Sequence, residues 1–398
     1  MKQLLINTGT SLLSTFLALL FVDQVLLSNY KTDKISSIDK EIFQDNQLYQ
    51  YHPVLGLTGR PGATLLGPGG EIFSQHNSLG YRSPDYPFVK VSGVERILIL
   101  GDSQAYGNGL PQQQSISYQI QNTLKKKYPN RRFEFFNLGV SGYGPDQSYL
   151  KYILEGRKLE PDYVIFIAFL DNDVIEPMQK ESWGIEKAFF HKEGKRLCLA
   201  NVPPRPSKQL NRGDLKKSLE SNSLISKITN HKLFPFRNTL NFLESRTTSS
   251  ITVSTLGYSS GQNQEILLSK EAIRNSLLDL ELCLSDAKEP AWLEWEGASL
   301  LFVRILKMLR QEINKDGAEF LTVLTPNSGF YSEDTRPDFL KDLVNLLHKN
   351  KFNLVDLRNV GKKLQLSAEQ FYISQEDRHL SAKMSEVAAD EIVKSIGQ

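Results

Sequence analysis

The stretch ILILGDSQAYGNG, residues 97–109, places an aliphatic run directly before Gly101, Asp102 and Ser103. Such a run predicts a buried strand, and a serine at the carboxyl end of a strand can be displayed as a nucleophile. A phosphate-binding loop would need a lysine followed by Ser or Thr after its second glycine, and a dinucleotide site would need GxGxxG. Because neither pattern is present, the residue types favour a nucleophile or a simple turn.

A serine nucleophile needs a base, and the candidate base is His379, which lies just before the last predicted helix. Glu376 and Asp377 precede it, and a carboxylate bonded to the imidazole would fix its tautomer. Asp377 is preferred because its shorter side chain needs less ordering, and Glu376 stays open. For the other histidines a solvated side chain is the ordinary explanation: His52, His76, His191, His231 and His348.

Acyl transfer also needs hydrogen-bond donors for the oxyanion that forms on the attacked carbonyl. The candidates are the backbone N–H of Gly142, in NLGVSGYG at 137–144, and the side chain of Asn172, just past the third predicted strand. Gly142 could instead permit a turn, and Asn172 could cap a helix. Like Ser103 and His379, both follow a predicted strand or open a predicted helix, so we expect all of them at one sheet edge.

These blocks together resemble the SGNH hydrolases, also called GDSL esterases and lipases. The resemblance covers about 96–173 and 291–396 and rests on GDS at 101–103, the glycine of GVSGYG, Asn172–Asp173, and the acidic residue before His379. The lead-in motif NSLGYR at 77–82 also looks like what precedes the first block in one branch of that family. Gln104 stands where the family usually has leucine, and we expect this difference to alter packing more than chemistry.

The resemblance implies a role for each site residue. Ser103 would be the nucleophile, and His379 would be the base, with Asp377 behind it. The backbone N–H groups of Ser103 and Gly142 would form the oxyanion hole together with the Asn172 amide. No metal and no organic cofactor are implied.

The chain that must position these residues alternates apolar runs with amphipathic stretches from Arg96 onward. This order predicts an α/β fold with a doubly wound, flavodoxin-like parallel sheet of the SGNH hydrolase type. The predicted strands are 97–100, 133–140, 163–170, 320–325 and 352–357, and the predicted helices are 115–127, 146–157, 297–314, 337–349 and 382–396.

Two stretches break this alternation. Residues 30–95 form a lead-in rich in Gly and Pro, and residues 174–290 turn irregular. A structureless loop of that length would be unusual inside a compact domain, so 174–290 is interpreted as an inserted cap. The predicted domains are a membrane anchor at 1–29, the lead-in at 30–95, the hydrolase domain at 96–173 and 291–398, and the cap at 174–290.

The amino terminus carries an uncharged apolar stretch, Leu4–Val22, of the length that a transmembrane helix needs. With no evident cleavage site, it favours an uncleaved anchor over a signal peptide, and a buried soluble helix is the alternative. Lys2 lies on one side of the stretch and Lys31 and Lys34 on the other, so charge leaves the orientation open. We expect an extracytoplasmic domain, as the family resemblance implies for many anchored members.

Charge and cysteine content limit the classes of binding partner and metal site that can be expected. Lys and Arg total 47 against 45 Asp and Glu, with no long basic run, so nucleic acid is not expected as a partner. The two cysteines, Cys198 and Cys283, lack the CxxC spacing of a zinc or redox site. One disulfide and two unpaired cysteines both remain open.

The sequence therefore predicts a membrane-anchored serine hydrolase that cleaves a carboxylic ester of a small molecule, glycan or lipid through an acyl-enzyme. An O-acyltransferase acting on an envelope polysaccharide would use the same residues and pass the acyl group to a sugar hydroxyl. A non-catalytic glycan-binding protein on the same fold is a further alternative. The presence of both Ser103 and His379 speaks against it.

Overall fold

The computed structural model describes residues 48–67, 70–170, 172–206, 270–290, 295–325, 339–374 and 377–396. All of these belong to one compact unit, Asn46–Gln398. The predicted anchor and the middle of the predicted cap, 207–269, lie outside the described residues. Among the helices that are described, none combines the length and the apolar character needed to cross a membrane.

From residue 94 onward strands and helices alternate, except between residues 163 and 200, where five strands follow one another. In chain order the strands are β1 (Tyr49–His52), β2 (Gly56–Gly59), β3 (Thr64–Leu66), β4 (Ile72–Gln75), β5 (Val94–Gly101), β6 (Arg132–Asn137), β7 (Tyr163–Phe169), β8 (Glu181–Ser182), β9 (Ile185–Glu186), β10 (Phe189–Glu193), β11 (Arg196–Ala200), β12 (Glu319–Thr325) and β13 (Leu354–Asp356). The helices are α1 (Ser103–Tyr106), α2 (Ile116–Lys127), α3 (Pro145–Leu154), α4 (Lys270–Asp279), α5 (Trp295–Lys315), α6 (Phe339–Lys349), α7 (Leu357–Lys363), α8 (Ala368–Phe371) and α9 (Ala382–Ile396).

One parallel sheet carries the fold, with the spatial order β13-β12-β7-β5-β6. When its strands are numbered along the chain, this is the 2-1-3-4-5 order of flavodoxin-like sheets, so the predicted doubly wound topology is confirmed. The run predicted at 133–140 forms a strand only as far as Asn137. There the Asn137 side-chain oxygen accepts the Gly139 N–H at 3.0 Å, while Leu138 N and Val140 N still donate to Ile99 O and Gly101 O at the end of β5.

Helices cover both faces of this sheet, as the alternating pattern predicts. On one face α2 and α9 pack together, and Ile116, Ile120 and Leu124 recur at the spacing of one helix face. Ile97 and Ile99 of β5 point into this layer. On the other face α3 and α5 pack together, and the ring of Phe302 of α5 packs against that of Phe166 of β7 in a tilted arrangement, with centroids 6.4 Å apart. Each of these apolar side chains contributes roughly 1.5–3 kcal/mol by its burial.

The lead-in contributes two small antiparallel hairpins, β1–β2 and β3–β4. Its side chains bind the central domain in several places. Lys151 of α3 is buried and donates to Thr58 Oγ1 at 2.7 Å, and Tyr81 Oη donates to Glu155 at 2.8 Å. The described part of the lead-in is therefore packed against the domain that carries Ser103.

The described ends of the predicted cap form the hairpins β8–β9 and β10–β11 and the helix α4. A disulfide joins Cys198 of β11 to Cys283, 85 residues later, which settles the pairing that the sequence left open. Leu199 N also donates to Cys283 O at 2.7 Å, so the segment after α4 lies beside β11.

Candidate active site

The nucleophile candidate lies where β5 ends. Asp102 caps the short helix α1, because its Oδ1 accepts the Gln104 N–H at 2.9 Å, and Ser103 is the first residue of that helix. The helix ends after one turn, where the N–H of Gly107 donates to Ser103 O at 2.9 Å. Ser103 is only 5% exposed, so its surroundings determine what the hydroxyl can contact.

The Ser103 hydroxyl donates to Asp102 Oδ2 at 3.3 Å. Burial raises the pKa of Asp102 to about 6, while the Gln104 N–H and the nearby His379 act to lower it. The hydrogen bonds of Gln104 to Arg378 and Leu380, the residues on either side of His379, show that the base candidate lies close to the turn that carries Ser103. Attack on a substrate would need the Ser103 Oγ to rotate from Asp102 toward the imidazole.

His379 is paired with Asp377. The imidazole Nδ1 lies 2.5 Å from Asp377 Oδ1, which also accepts the backbone N–H of His379 at 3.1 Å. The His379 carbonyl accepts the Ile373 N–H at 3.0 Å. The whole residue is 5% exposed, so the imidazole is buried. With Nδ1 held by a carboxylate, the other ring nitrogen, Nε2, is the one available as a base. Glu376 lies outside the described residues.

Gln104, the residue after Ser103, directly contacts the loop that carries Asp377 and His379, called the base loop below. Gln104 Nε2 donates to Arg378 O at 3.0 Å, and Leu380 N donates to Gln104 Oε1 at 3.0 Å. Gln104 therefore does more than fill space beneath Ser103, because both ends of its amide are hydrogen-bonded. Sequence analysis missed this contact since the partners lie 274 and 276 residues away.

Gly142 occupies a position that requires glycine. Its φ is +79°, and an added Cβ would lie 2.5 Å from Trp183 Cδ1 and 2.6 Å from its Nε1. Ser182 Oγ donates to the Gly142 carbonyl at 3.0 Å, while Val140 N donates to Gly101 O at 3.1 Å at the end of β5. The Gly142 loop thus lies between the nucleophile strand and the β8–β9 hairpin at the start of the predicted cap.

Asn172 begins the turn after β7, where its carbonyl accepts the N–H groups of Ile175 and Glu176, both at 2.9 Å. Its side-chain Oδ1 is buried and accepts no hydrogen bond from the described residues. The Asn172 side chain interacts with Glu176, whose pKa is raised to about 7 by burial, against the lowering effect of Lys187. Next to it, burial and the Asp102 charge hold the pKa of Asp173 well above its usual range. Gly101 of β5 pairs with Ile167 of β7, so the turn after β7 lies beside the turn that carries Ser103.

The structure therefore brings the nucleophile turn, the base loop and the turn after β7 into one region. Direct hydrogen bonds link His379 to Asp377 and Gln104 to the base loop. Among the described residues, no hydrogen bond joins Ser103 to His379, Gly142 or Asn172. An oxyanion donor contacts the substrate and need not contact Ser103 or His379. The roles of Gly142 and Asn172 as oxyanion donors therefore stay predictions.

The lead-in supplies residues that sequence analysis did not place at the site. Arg82, the last residue of NSLGYR, is 3% exposed and donates to four backbone oxygens, those of Phe73, Tyr106, Gly107 and Leu110. Two of these acceptors close the nucleophile helix α1. The motif was visible in the sequence, but a buried arginine cannot be told from a solvated one by residue type.

His76 is also part of this support, which makes the prediction of a solvated side chain wrong for this residue. It is 2% exposed, and its Nε2 lies 3.0 Å from the hydroxyl of Tyr106, the last residue of α1. Burial lowers the pKa of His76 to about 4, so the ring is neutral at neutral pH.

Within the described part of the chain, no group of three or more His, Cys, Asp or Glu side chains is arranged to hold a metal ion.

Comparisons with known proteins give distant similarities. No family model matches the sequence, and no curated protein matches it. The fold is similar to an alpha/beta hydrolase enzyme from the metagenome of Lake Arreo, Spain, at 12% identity and a TM-score of 0.39, covering 78% of this chain and 97% of that chain. A catalytic mutant of an acetylxylan esterase from Geobacillus stearothermophilus is 11% identical, with a TM-score of 0.39, and covers 78% of this chain and 97% of that chain.

A protein of the G-D-S-L family from Desulfitobacterium hafniense is 8% identical, with a TM-score of 0.36, and covers 75% of this chain and 98% of that chain. Similarities this distant leave the function to be argued from the residues of the site.

Proposed function

We propose that this chain is a serine hydrolase that cleaves carboxylic esters through an acyl-enzyme intermediate. The observation that carries the proposal is the His379–Asp377 pair, joined at 2.5 Å, in a loop hydrogen-bonded to the turn that presents Ser103. A histidine whose Nδ1 is held by a carboxylate is arranged to take a proton at Nε2.

The proposed reaction uses these groups in sequence. His379 Nε2 takes the Ser103 proton as Oγ attacks the ester carbonyl, and the negative charge moves to the carbonyl oxygen. Donors from the Ser103 and Gly142 backbones and the Asn172 amide would stabilise that oxygen. Collapse breaks the ester bond, and the imidazolium returns its proton to the departing alcohol. A water molecule then attacks the acyl-enzyme by the same steps.

The alternative, O-acyl transfer, differs only in the acceptor, which would be a sugar hydroxyl in place of water. Gly142 lies against Trp183 and Ser182, so the first hairpin of the predicted cap lies beside a candidate oxyanion donor. This position supports a role for the cap in choosing between acceptors. We propose a glycan or lipid ester as the substrate class.

We further propose that the domain is anchored through Leu4–Val22 and works outside the cytoplasm. The Cys198–Cys283 disulfide supports this location, because disulfides persist in oxidising compartments. Protease added to intact spheroplasts should digest the domain. Full protection until lysis would overturn the location without removing the esterase proposal.

The decisive experiment is labelling of the folded protein with a fluorophosphonate, whose adduct resembles the tetrahedral intermediate. We expect Ser103 to be labelled, Ser103→Ala to abolish labelling and His379→Ala to reduce it steeply. Ser385→Ala, which removes another buried hydroxyl on α9, is the matched control and should label normally. An adduct on another serine, or none while ester hydrolysis persists, would remove Ser103 from the mechanism.

A further inference from the structure

The side chain of Gln104 spans the two residues that flank the proposed base. Its Nε2 donates to the carbonyl of Arg378, and its Oε1 accepts the N–H of Leu380, both at 3.0 Å. The residue is 3% exposed, and its own backbone N–H is held by Asp102 Oδ1 at 2.9 Å. One side chain therefore joins the nucleophile helix to the base loop on both sides of His379.

The chemistry of an amide suits this position. It presents one donor end and one acceptor end in a fixed plane, and each end faces a backbone group of the opposite kind. A leucine or methionine of similar size could fill the space but would leave a buried carbonyl and a buried N–H without these partners. Shape alone therefore cannot replace what Gln104 does.

Two further hydrogen bonds of the base loop join residues within the loop itself. Asp377 N donates to Ser374 Oγ at 2.9 Å, and Ser374 N donates to Asp377 O at 3.0 Å. From the nucleophile side, Gly109 approaches Asp377 closely, since a Cβ there would lie 3.1 Å from Asp377 Oδ2. This second contact is steric, whereas Gln104 supplies directional bonds between the two loops.

We infer that Gln104 is a positioning residue that sets the placement of His379 relative to Ser103. The inference rests on the proposed function, in which His379 takes the Ser103 proton. A proton transfer of this kind depends on placement, and a displacement of about 1 Å can cost on the order of 10²-fold in rate. Losing both bonds should leave substrate binding largely intact and slow the chemical step.

The test compares Gln104→Leu with Gln121→Leu. Gln121 is also a buried glutamine with a hydrogen-bonded amide, since its Nε2 donates to Tyr86 Oη at 2.9 Å, and it lies on α2 away from the proposed chemistry. Three quantities are measured for each folded variant: kcat and KM for ester hydrolysis, the rate of fluorophosphonate labelling, and the downfield proton resonance of the hydrogen-bonded imidazole. The resonance is assigned by its loss in His379→Ala.

For Gln104→Leu we expect kcat and the labelling rate to fall together by roughly 10- to 100-fold, with KM changed less than about threefold. The imidazole resonance should broaden, because the ring is held less firmly against Asp377. Gln121→Leu should keep the wild-type kcat and resonance even if it lowers the melting temperature. If Gln104→Leu does not fold, Gln104→Met tests the same loss of bonds with a more adaptable side chain.

Wild-type labelling rates and an unchanged resonance in folded Gln104→Leu would overturn the positioning role. A wild-type protein that neither hydrolyses esters nor labels at Ser103 would instead overturn the proposed function. In that case the imidazole resonance still reports whether Gln104 holds the base loop, so the two failures can be told apart.

Discussion

Asp377 contacts His379 through both the ring and the backbone, at 2.5 Å from Nδ1 and 3.1 Å from the amide nitrogen. In Asp377→Asn, the amide would fill the same space but could not stabilise an imidazolium. We expect kcat to fall by roughly 10²- to 10⁴-fold. Steady-state kinetics on an activated ester measures the effect, and Glu376→Gln, at the neighbouring carboxylate, should remain near wild type. The reverse ranking would assign the third member of the triad to Glu376.

Asn172 carries the one proposed oxyanion donor that is a side chain. In Asn172→Ala we expect kcat to fall by roughly 10²-fold with KM little changed, because the lost hydrogen bond strengthens only as charge develops. The side chain also interacts with Glu176, so a structural role must be separated from a catalytic one. Glu176→Gln removes the charge of that neighbour and should keep kcat within about threefold. A raised KM with an unchanged kcat in Asn172→Ala would make Asn172 a binding or capping residue.

At the scale of elements, the lead-in closes the nucleophile helix through Arg82. Replacing it by methionine leaves four buried backbone oxygens without this donor, so we expect a loss of stability of about 3 kcal/mol or more. Urea unfolding measures the loss. The exposed Arg132, at the start of β6, gives the control Arg132→Met, which should change stability by less than about 0.5 kcal/mol. Equal stability of the two variants would show that the Arg82 contacts contribute little.

The central elements could be predicted from the sequence because their signals are local. All the strands of the parallel sheet overlap predicted apolar runs, and the predicted helix 382–396 has its expected bounds. The lead-in hairpins were not predicted, since strands of three or four residues among Gly and Pro carry little periodicity. The short helices α7 and α8 were missed for the same reason.

The site shows the same division between local and distant information. The Ser103 turn follows its strand, and Asp377 lies two residues from His379, so both could be found in the sequence. The contacts of Gln104 and Arg82 join segments far apart in the chain. The residue types alone do not predict such contacts. Both are buried polar side chains whose partners are backbone groups, which any sequence supplies.

At the scale of the whole molecule, buried ionisable groups should make stability depend on pH. The pKa of His76 is lowered to about 4, whereas an unfolded histidine titrates near 6.5. Between these values the unfolded chain binds more protons, so the contribution of His76 is full above pH 6.5 and is lost as pH falls toward 4. The change is on the order of 3 kcal/mol.

This pH effect can be isolated by comparing the wild type with His76→Gln. The difference in their free energies of unfolding should be largest above pH 6.5 and should shrink toward pH 4. Glu176, with a pKa raised to about 7, acts in the opposite sense, because its burial favours the folded state at lower pH. Glu176 is present in both proteins, so its effect cancels in the difference. A difference that is independent of pH would mean that His76 does not titrate as its burial indicates.

The apolar stretch near the amino terminus is expected to anchor the protein in a membrane. The described residues all lie in the unit Asn46–Gln398, whereas the uncharged stretch Leu4–Val22 precedes it. We expect the full chain to sediment with membranes and to be released by detergent but not by high salt, because about 20 apolar residues suffice to span a bilayer. A chain lacking residues 1–45 should stay in the soluble fraction and keep kcat within about twofold, since the site residues all lie beyond Asn46. Leu13→Arg is the matched control: a charge at the centre of the stretch costs roughly 2.5–3.5 kcal/mol of insertion free energy and should weaken membrane association without altering the site. A full chain that remains soluble, or that leaves the membrane in high salt, would overturn the proposed anchor.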